Sequence, residues 1–194
     1  MRHSQFIRRR SSQRGATLIE ALVSLLVMSF ALMGLAGLQL SALAFQKSAW
    51  SAHRVAELTG DFAERVRANP KAVDADYQYV ESYATGKAAA PTLRGCRGTA
   101  ACTPGQVAAD DMAELLLKAQ ALLPQGSMQI TGTVANGFVF TSMYLDKDNL
   151  QTDGSLKPAL VCQASTAGID LRNCCPSTAS APDGVRCRRF TIVP

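Results

Sequence analysis

The chain has 194 residues, with 20 Lys or Arg against 15 Asp or Glu, and six cysteines. That length allows one soluble domain plus one membrane segment and excludes a larger multidomain assembly. The net charge of +5 resides wholly in residues 1–15, which hold five arginines and no acid; from Ala16 onward 15 basic residues meet 15 acidic ones. A basic excess confined to a leader is poor ground for a nucleic-acid surface, so nucleic acid is not an expected partner.

Arg2, Arg8, Arg9, Arg10 and Arg14 form a positive-inside signal that keeps residues 1–15 in the cytoplasm. The stretch Gly15–Phe45 that follows carries a single charge, Glu20. No charge occurs from Ala21 to Gln46, a run of 26 residues. As a helix it spans about 39 Å, enough to cross a hydrocarbon core of about 30 Å. A secretory signal peptide needs a cleavage site after a shorter apolar core. A plain anchor gives no account of Glu20, because an acid costs roughly 2.5–3.5 kcal/mol at the centre of a membrane helix. A leader cut before the apolar run accounts for both.

The residues Arg14-Gly15-Ala16-Thr17-Leu18-Ile19-Glu20 resemble the prepilin cleavage motif of type IV pilins and pseudopilins. In that motif a short basic leader ends in Gly, and an aliphatic stretch reaches Glu at the fifth mature position. This chain has Ala16 where the family most often has Phe. The resemblance implies cleavage between Gly15 and Ala16 by a prepilin peptidase, followed by N-methylation of Ala16. The cut frees an amine, cationic near neutral pH, at the edge of an apolar helix. Glu20 of an adjacent subunit is then placed to neutralise it, offsetting the desolvation of both groups in a filament core. Gly34, and Gly37 with Ser41, supply small residues at which neighbouring helices can approach.

From Gln46 to Pro70 the pattern becomes amphipathic. Val55, Leu58, Phe62 and Val66 share one face, while His53, Glu57, Asp61, Glu64 and Arg65 mostly take the other, solvated one. Asp61 and Arg65 form a favourable i,i+4 pair, and Asn69-Pro70 stops the helix. One continuous helix of about 50 residues is expected. Residues 71–109 lack periodicity and read as a long surface excursion, with Tyr77, Tyr79 and Tyr83 taken as local packing rather than an exposed aromatic strip. A second helix starts at Asp110 or Asp111, with Glu114 suggesting a capping box, and ends at Pro124. Met112, Leu115, Leu116, Ala119, Leu122 and Leu123 supply its buried face.

Strands follow. Met128, Ile130 and Val134 alternate with small or polar residues; Asn136-Gly137 signals a two-residue hairpin turn, and Phe138–Leu145 forms the return strand. Asp153-Gly154 marks a second turn before a short strand at Ala159–Gln163, and Cys187–Val193 closes the sheet. The expected fold is α+β: an antiparallel sheet of three to five strands packed on the exposed half of the long helix. Type IV pilins share that architecture, which is what the resemblance implies.

All six cysteines lie after the apolar segment, which points to an oxidising compartment and disulfides rather than a metal site. Cys96 and Cys102 close a short loop. Cys162, Cys174, Cys175 and Cys187 allow three pairings; adjacent Cys174 and Cys175 are expected to take different partners, and the connectivity stays open. In several pilins a disulfide-closed C-terminal region faces outward on the filament, and the resemblance implies the same here. Asp146-Lys147-Asp148-Asn149 with Asp153-Gly154 has the flavour of a calcium loop, but Leu150 stands where a ligand belongs, so an ordinary polar turn is expected. No catalytic constellation, cofactor motif or metal-ligand spacing occurs, and no enzymatic activity is expected.

The resemblance narrows at Gly34–Trp50 (GLAGLQLSALAFQKSAW), Ala63–Pro70 (AERVRANP) and Asp110–Gly126 (DDMAELLLKAQALLPQG), which are similar to the PilV family of minor pilins. That likeness implies a leader at 1–15, a membrane and assembly helix at 16–45, its amphipathic continuation at 46–70 and a periplasmic sheet domain at 71–194. It implies a single pass through the inner membrane, amino terminus in the cytoplasm, and then a place in a pilus on the cell surface. The partners implied are prepilin peptidase, the major pilin, other minor pilins and the inner-membrane assembly platform, in support of adhesion and twitching motility. A type II secretion pseudopilin is the alternative within the class; a tip adhesin or DNA-binding module is the alternative outside it.

Overall fold

A computed structural model describes residues 17–96, 101–147 and 149–194. The chain divides into two compact units, one ending at Gln46 and the other covering Lys47–Pro194. Helix α1 spans Leu18–Ala68, 51 residues, and contributes to both. Within the first unit, every described residue is exposed.

In the second unit, α1 buries Val55, Leu58, Phe62 and Val66, the face expected from their helical spacing. Above them lies a three-stranded antiparallel sheet in the order β1-β2-β3, with β1 at Ser127–Thr133, β2 at Gly137–Leu145 and β3 at Val185–Ile192. Met128 and Ile130 of β1 and Phe138, Phe140 and Tyr144 of β2 pack onto the helix. Phe62 sits at the centre, edge-on to Phe138 at 5.5 Å and to Tyr77 at 6.1 Å between ring centroids. The architecture is α+β, as the alternation of patterns foretells.

Helix α3 covers Pro104–Leu122 and begins well before Asp110. Thr103 caps it, its hydroxyl accepting from the Gln106 amide while the Gln106 side chain accepts from the Thr103 amide, and Pro104 takes the first turn where no amide donor is needed. Asp110 and Asp111 are therefore interior to the helix and buried rather than capping it. Met112, Leu115, Leu116 and Ala119 face the core, whereas Leu122 is half-buried and Leu123 packs from just beyond the helix end.

Three further corrections concern segments with weak periodicity. Residues 71–93 are not a loose excursion. A 3-10 turn at Asp74–Tyr77 and helix α2 at Tyr83–Ala88 drive Tyr77 and Tyr83 into the protein, and Tyr79 exchanges two backbone hydrogen bonds with Ile130 that cover the outer edge of β1. The tyrosines pack as expected, but through placed contacts that no repeat announces. The hairpin between β1 and β2 pairs Thr133 with Gly137 across a three-residue loop, not a two-residue one. Gly137, at φ +84°, supplies the left-handed residue that returns the chain, and Val134 is left exposed on the loop. Ala159–Gln163 is not a strand of the sheet; Val161 makes only an isolated parallel bridge to Cys175. The Cys162–Cys174 disulfide and two backbone hydrogen bonds, Cys162 amide to Cys175 carbonyl and Cys175 amide to Leu160 carbonyl, hold this segment against the 174–175 backbone instead of a sheet edge.

Asp146, just past β2, is paired with Arg186 on β3 at 3.0 Å, and the Asp153 carboxylate accepts from the Ser155 amide and hydroxyl within its own turn. Asp148 lies outside the described residues. The central ring gives a direct test of the core. Phe62→Ala is expected to destabilise the sheet domain by about 3–5 kcal/mol, read as a lower denaturant midpoint in near-UV circular dichroism of the full-length protein in detergent.

Candidate assembly site

The start of α1 is built from polar groups that satisfy its own backbone. Thr17 precedes the helix, and its hydroxyl accepts from the Glu20 amide at 3.4 Å, while its carbonyl accepts from the Ala21 amide at 3.1 Å. Thr17 and Glu20 thus stand at the T-x-x-E spacing of a capping box, a signal the sequence carries that was not singled out above. Glu20 occupies the first turn, where a carboxylate interacts favourably with the helix dipole. Gly15 and Ala16, the expected cleavage and methylation residues, lie outside the described residues.

Beyond Glu20 the helix presents leucine, valine, methionine and phenylalanine on all sides; Phe30, Met33, Leu38 and Phe45 are each at least 67% exposed. The serines are made compatible with an apolar surrounding, because Ser24 donates to the Glu20 carbonyl at 2.7 Å and Ser29 to the Leu25 carbonyl at 2.8 Å. A side chain added at Gly34 or Gly37 would meet nothing within 4 Å. These glycines answer no packing need inside the chain. The helix is long and apolar enough to cross a membrane, and its apolar surface calls for lipid or other helices as cover.

A second polar group holds the other half of α1. Arg65 was expected on the solvated face, yet it is 5% exposed. Its guanidinium donates to both carboxylate oxygens of Asp61, at 2.8 and 3.2 Å, to Asp111 at 2.8 Å and to Glu114 at 2.9 Å. Lys118 donates to Asp61 at 2.6 Å, and the Tyr77 hydroxyl donates to the Arg65 carbonyl at 3.2 Å. This cluster links α1, α3 and the 3-10 turn. Burial alone pulls the Arg65 pKa down, but the carboxylates of Asp61, Glu114 and Asp111 more than reverse that and hold it above its ordinary value. For Asp61, burial pushes the carboxyl up, and the hydrogen bonds and charges of Arg65 and Lys118 outweigh it, leaving the pKa lowered. Asp110, beside this cluster in sequence, accepts from the backbone amides of Arg94 and Cys96, which pins that segment to α3 and lowers its own pKa.

The cysteines close three disulfides: Cys96–Cys102, Cys162–Cys174 and Cys175–Cys187. Adjacent Cys174 and Cys175 take different partners, giving two bridges in tandem. Cys175 and Cys187 lie in a second small core with Tyr83, Met143, Ala179 and Val185. The other tandem bridge brackets helix α4 at Gly168–Asn173.

The spacing of residues anticipated the disulfides of the six cysteines and the Asp61–Arg65 pair. It missed Asp111 and Glu114 as partners of Arg65. The available signal was two acids three apart on a helix with an apolar face, which also fits a solvated edge.

Residues 37–113 match the family model described as Tt1218-like, Type IV pilin Tt1218. Residues 10–36 match the model of the prokaryotic N-terminal methylation motif. No curated protein and no solved structure matches the chain. A type IV pilin domain preceded by a methylation motif supports a type IV pilin, a structural class of protein, and the long apolar helix packed by an antiparallel sheet is consistent with that fold. The motif implies processing by prepilin peptidase and passage through the pilus assembly machinery.

Removing Arg65 takes the cation from among the Asp61, Asp111 and Glu114 carboxylates at a buried position, so Arg65→Ala is expected to cost about 3–5 kcal/mol in chemical denaturation. Acid should act through Asp61. Its folded pKa lies below the unfolded value of about 3.9, so its contribution is complete above that pH and is lost as pH falls through the folded pKa. The denaturation midpoint should therefore drop below about pH 4 by a component that Asp61→Asn abolishes.

Proposed function

We propose that this chain is a minor type IV pilin of the PilV kind that primes or caps pilus assembly together with other minor pilins. Residues 1–15 act as the leader, residues 16–45 cross the inner membrane and later pack in the filament, and residues 46–194 lie in the periplasm before export. Prepilin peptidase cuts between Gly15 and Ala16, and the new amine on Ala16 is methylated. Glu20 then pairs with the Ala16 amine of a neighbouring subunit. The observation that carries this reading is one acid in the first turn of an apolar helix exposed on every side, inside the segment that matches the methylation motif.

The pairing has a physical logic. A carboxylate and an ammonium are each costly to bury alone, and each offsets the desolvation of the other when subunits pack. The sheet domain supplies lateral recognition, and pilus-dependent adhesion and twitching follow from assembly. The work is structural, and no reaction is assigned to the chain.

Protein recovered from sheared pili should begin at Ala16 and carry one added methyl group, by N-terminal sequencing and intact mass. Material starting at Met1, or trimmed beyond Phe45, contradicts the proposal. Glu20→Ala should insert into the membrane normally but enter pili about tenfold less than the wild type in competition, a factor equal to about 1.4 kcal/mol. A deletion strain should lose piliation while type II secretion stays intact; the reverse would assign a secretion pseudopilin.

A further inference from the structure

The two tandem disulfides sit in different surroundings. Cys175 and Cys187 are each 1% exposed and belong to the second core cluster. Cys162 is half-buried, so its sulfur is the more accessible, while its partner Cys174 is fully buried. Of the eleven residues between them, Gln163 to Asn173, none is buried. Opening this bridge disturbs little packing, whereas opening Cys175–Cys187 breaks into a core.

One cation serves the outer bridge. Arg189 on β3 places a guanidinium nitrogen 3.2 Å from Cys162 Sγ and 3.4 Å from Cys174 Sγ, and the same nitrogen donates to the Leu171 carbonyl at 3.4 Å. A disulfide is a weak acceptor and gains little from such a donor. A thiolate is a full anion, and a guanidinium at this distance stabilises it strongly. Arg189 is thus better matched to the opened form of the bridge than to the closed one.

We propose that Cys162–Cys174 is a thiol–disulfide exchange site, opened by an external dithiol while Cys175–Cys187 stays closed, with Arg189 holding the departing thiolate. The dithiol's thiolate attacks Cys162 Sγ, forming a mixed disulfide and expelling Cys174 as a thiolate beside Arg189. The dithiol's second sulfur, as thiolate, then attacks its own first sulfur, releasing Cys162 and leaving the reagent as a cyclic disulfide. Two electrons pass to the protein sulfurs, which take up protons from water. Helix α4 and its flanks thereby lose their covalent tether and are held on β3 only by non-covalent contacts such as Leu171 with Arg189.

The test uses the full-length protein in detergent with dithiothreitol as the dithiol, alkylation of free thiols at timed points, and mapping by mass spectrometry. Cys162 and Cys174 should label together before any label reaches Cys175 or Cys187. Arg189→Ala should slow their opening about tenfold, since the leaving thiolate loses its counter-charge, and Arg189→Lys should retain most of the rate. The Cys96–Cys102 bridge serves as internal reference and should open at the same rate in all three proteins. If Arg189 merely braces α4, its removal will loosen the segment and speed the opening. A faster or unchanged rate in Arg189→Ala, labelling of Cys175 and Cys187 in step with the outer pair, or equal slowing at Cys96–Cys102 would each overturn the proposal.

Discussion

Arg65 is the residue on which the sheet domain turns. Its guanidinium is enclosed between α1 and α3, and four of its hydrogen bonds run to carboxylate oxygens of Asp61, Asp111 and Glu114. A buried ion pair gives little net stability over a well-packed apolar equivalent, because desolvation cancels most of the attraction. What it does give is intolerance of any other arrangement. If α3 slid by one turn along α1, the donors and acceptors would part, and each would be buried alone. The apolar contacts around Phe62 supply the larger share of the energy, and the Arg65 cluster selects the register in which those contacts are made.

The same logic, partners for every polar group, governs the apolar end of α1 with a different outcome. Ser24 and Ser29 are satisfied by the helix's own carbonyls, and Thr17 serves the first turn. Glu20 carries the one charge of Leu18–Gln46. Arg65 finds its counter-charges within the chain. For Glu20, assembly with another subunit is the proposed source. One helix therefore carries an ion cluster that builds the domain and, at its other end, the acid proposed to pair in the filament.

Much of this was legible from residue order because periodicity reports burial wherever one face of a regular element is covered. Val55, Leu58, Phe62 and Val66 declare their helix face, and Met128 and Ile130 their strand face, without any knowledge of what covers them. Residues 71–93 were not legible for the opposite reason. Tyr77, Tyr79 and Tyr83 are placed one at a time by short turns, and a turn of four residues is too brief to show a repeat. The start of α3 was hidden by Pro104-Gly105, which reads as a loop until Thr103 and Gln106 are recognised as a cap.

What residue order determined by itself is the chemistry at the amino terminus: a basic stretch, a glycine, one acid and an uncharged apolar run are local facts, and proximity along the chain is enough to state them. What only the tertiary structure decided are the long-range pairings. Arg65 looks like any charge on a solvated helix face until α3 brings Asp111 and Glu114 against it. Four cysteines permit three connectivities until the fold sets Cys174 beside Cys162 and Cys175 beside Cys187. Arg189 gains meaning only where β3 lays it across a sulfur pair. Each depends on distance through space between residues far apart in sequence, and that distance is set by how the whole core packs.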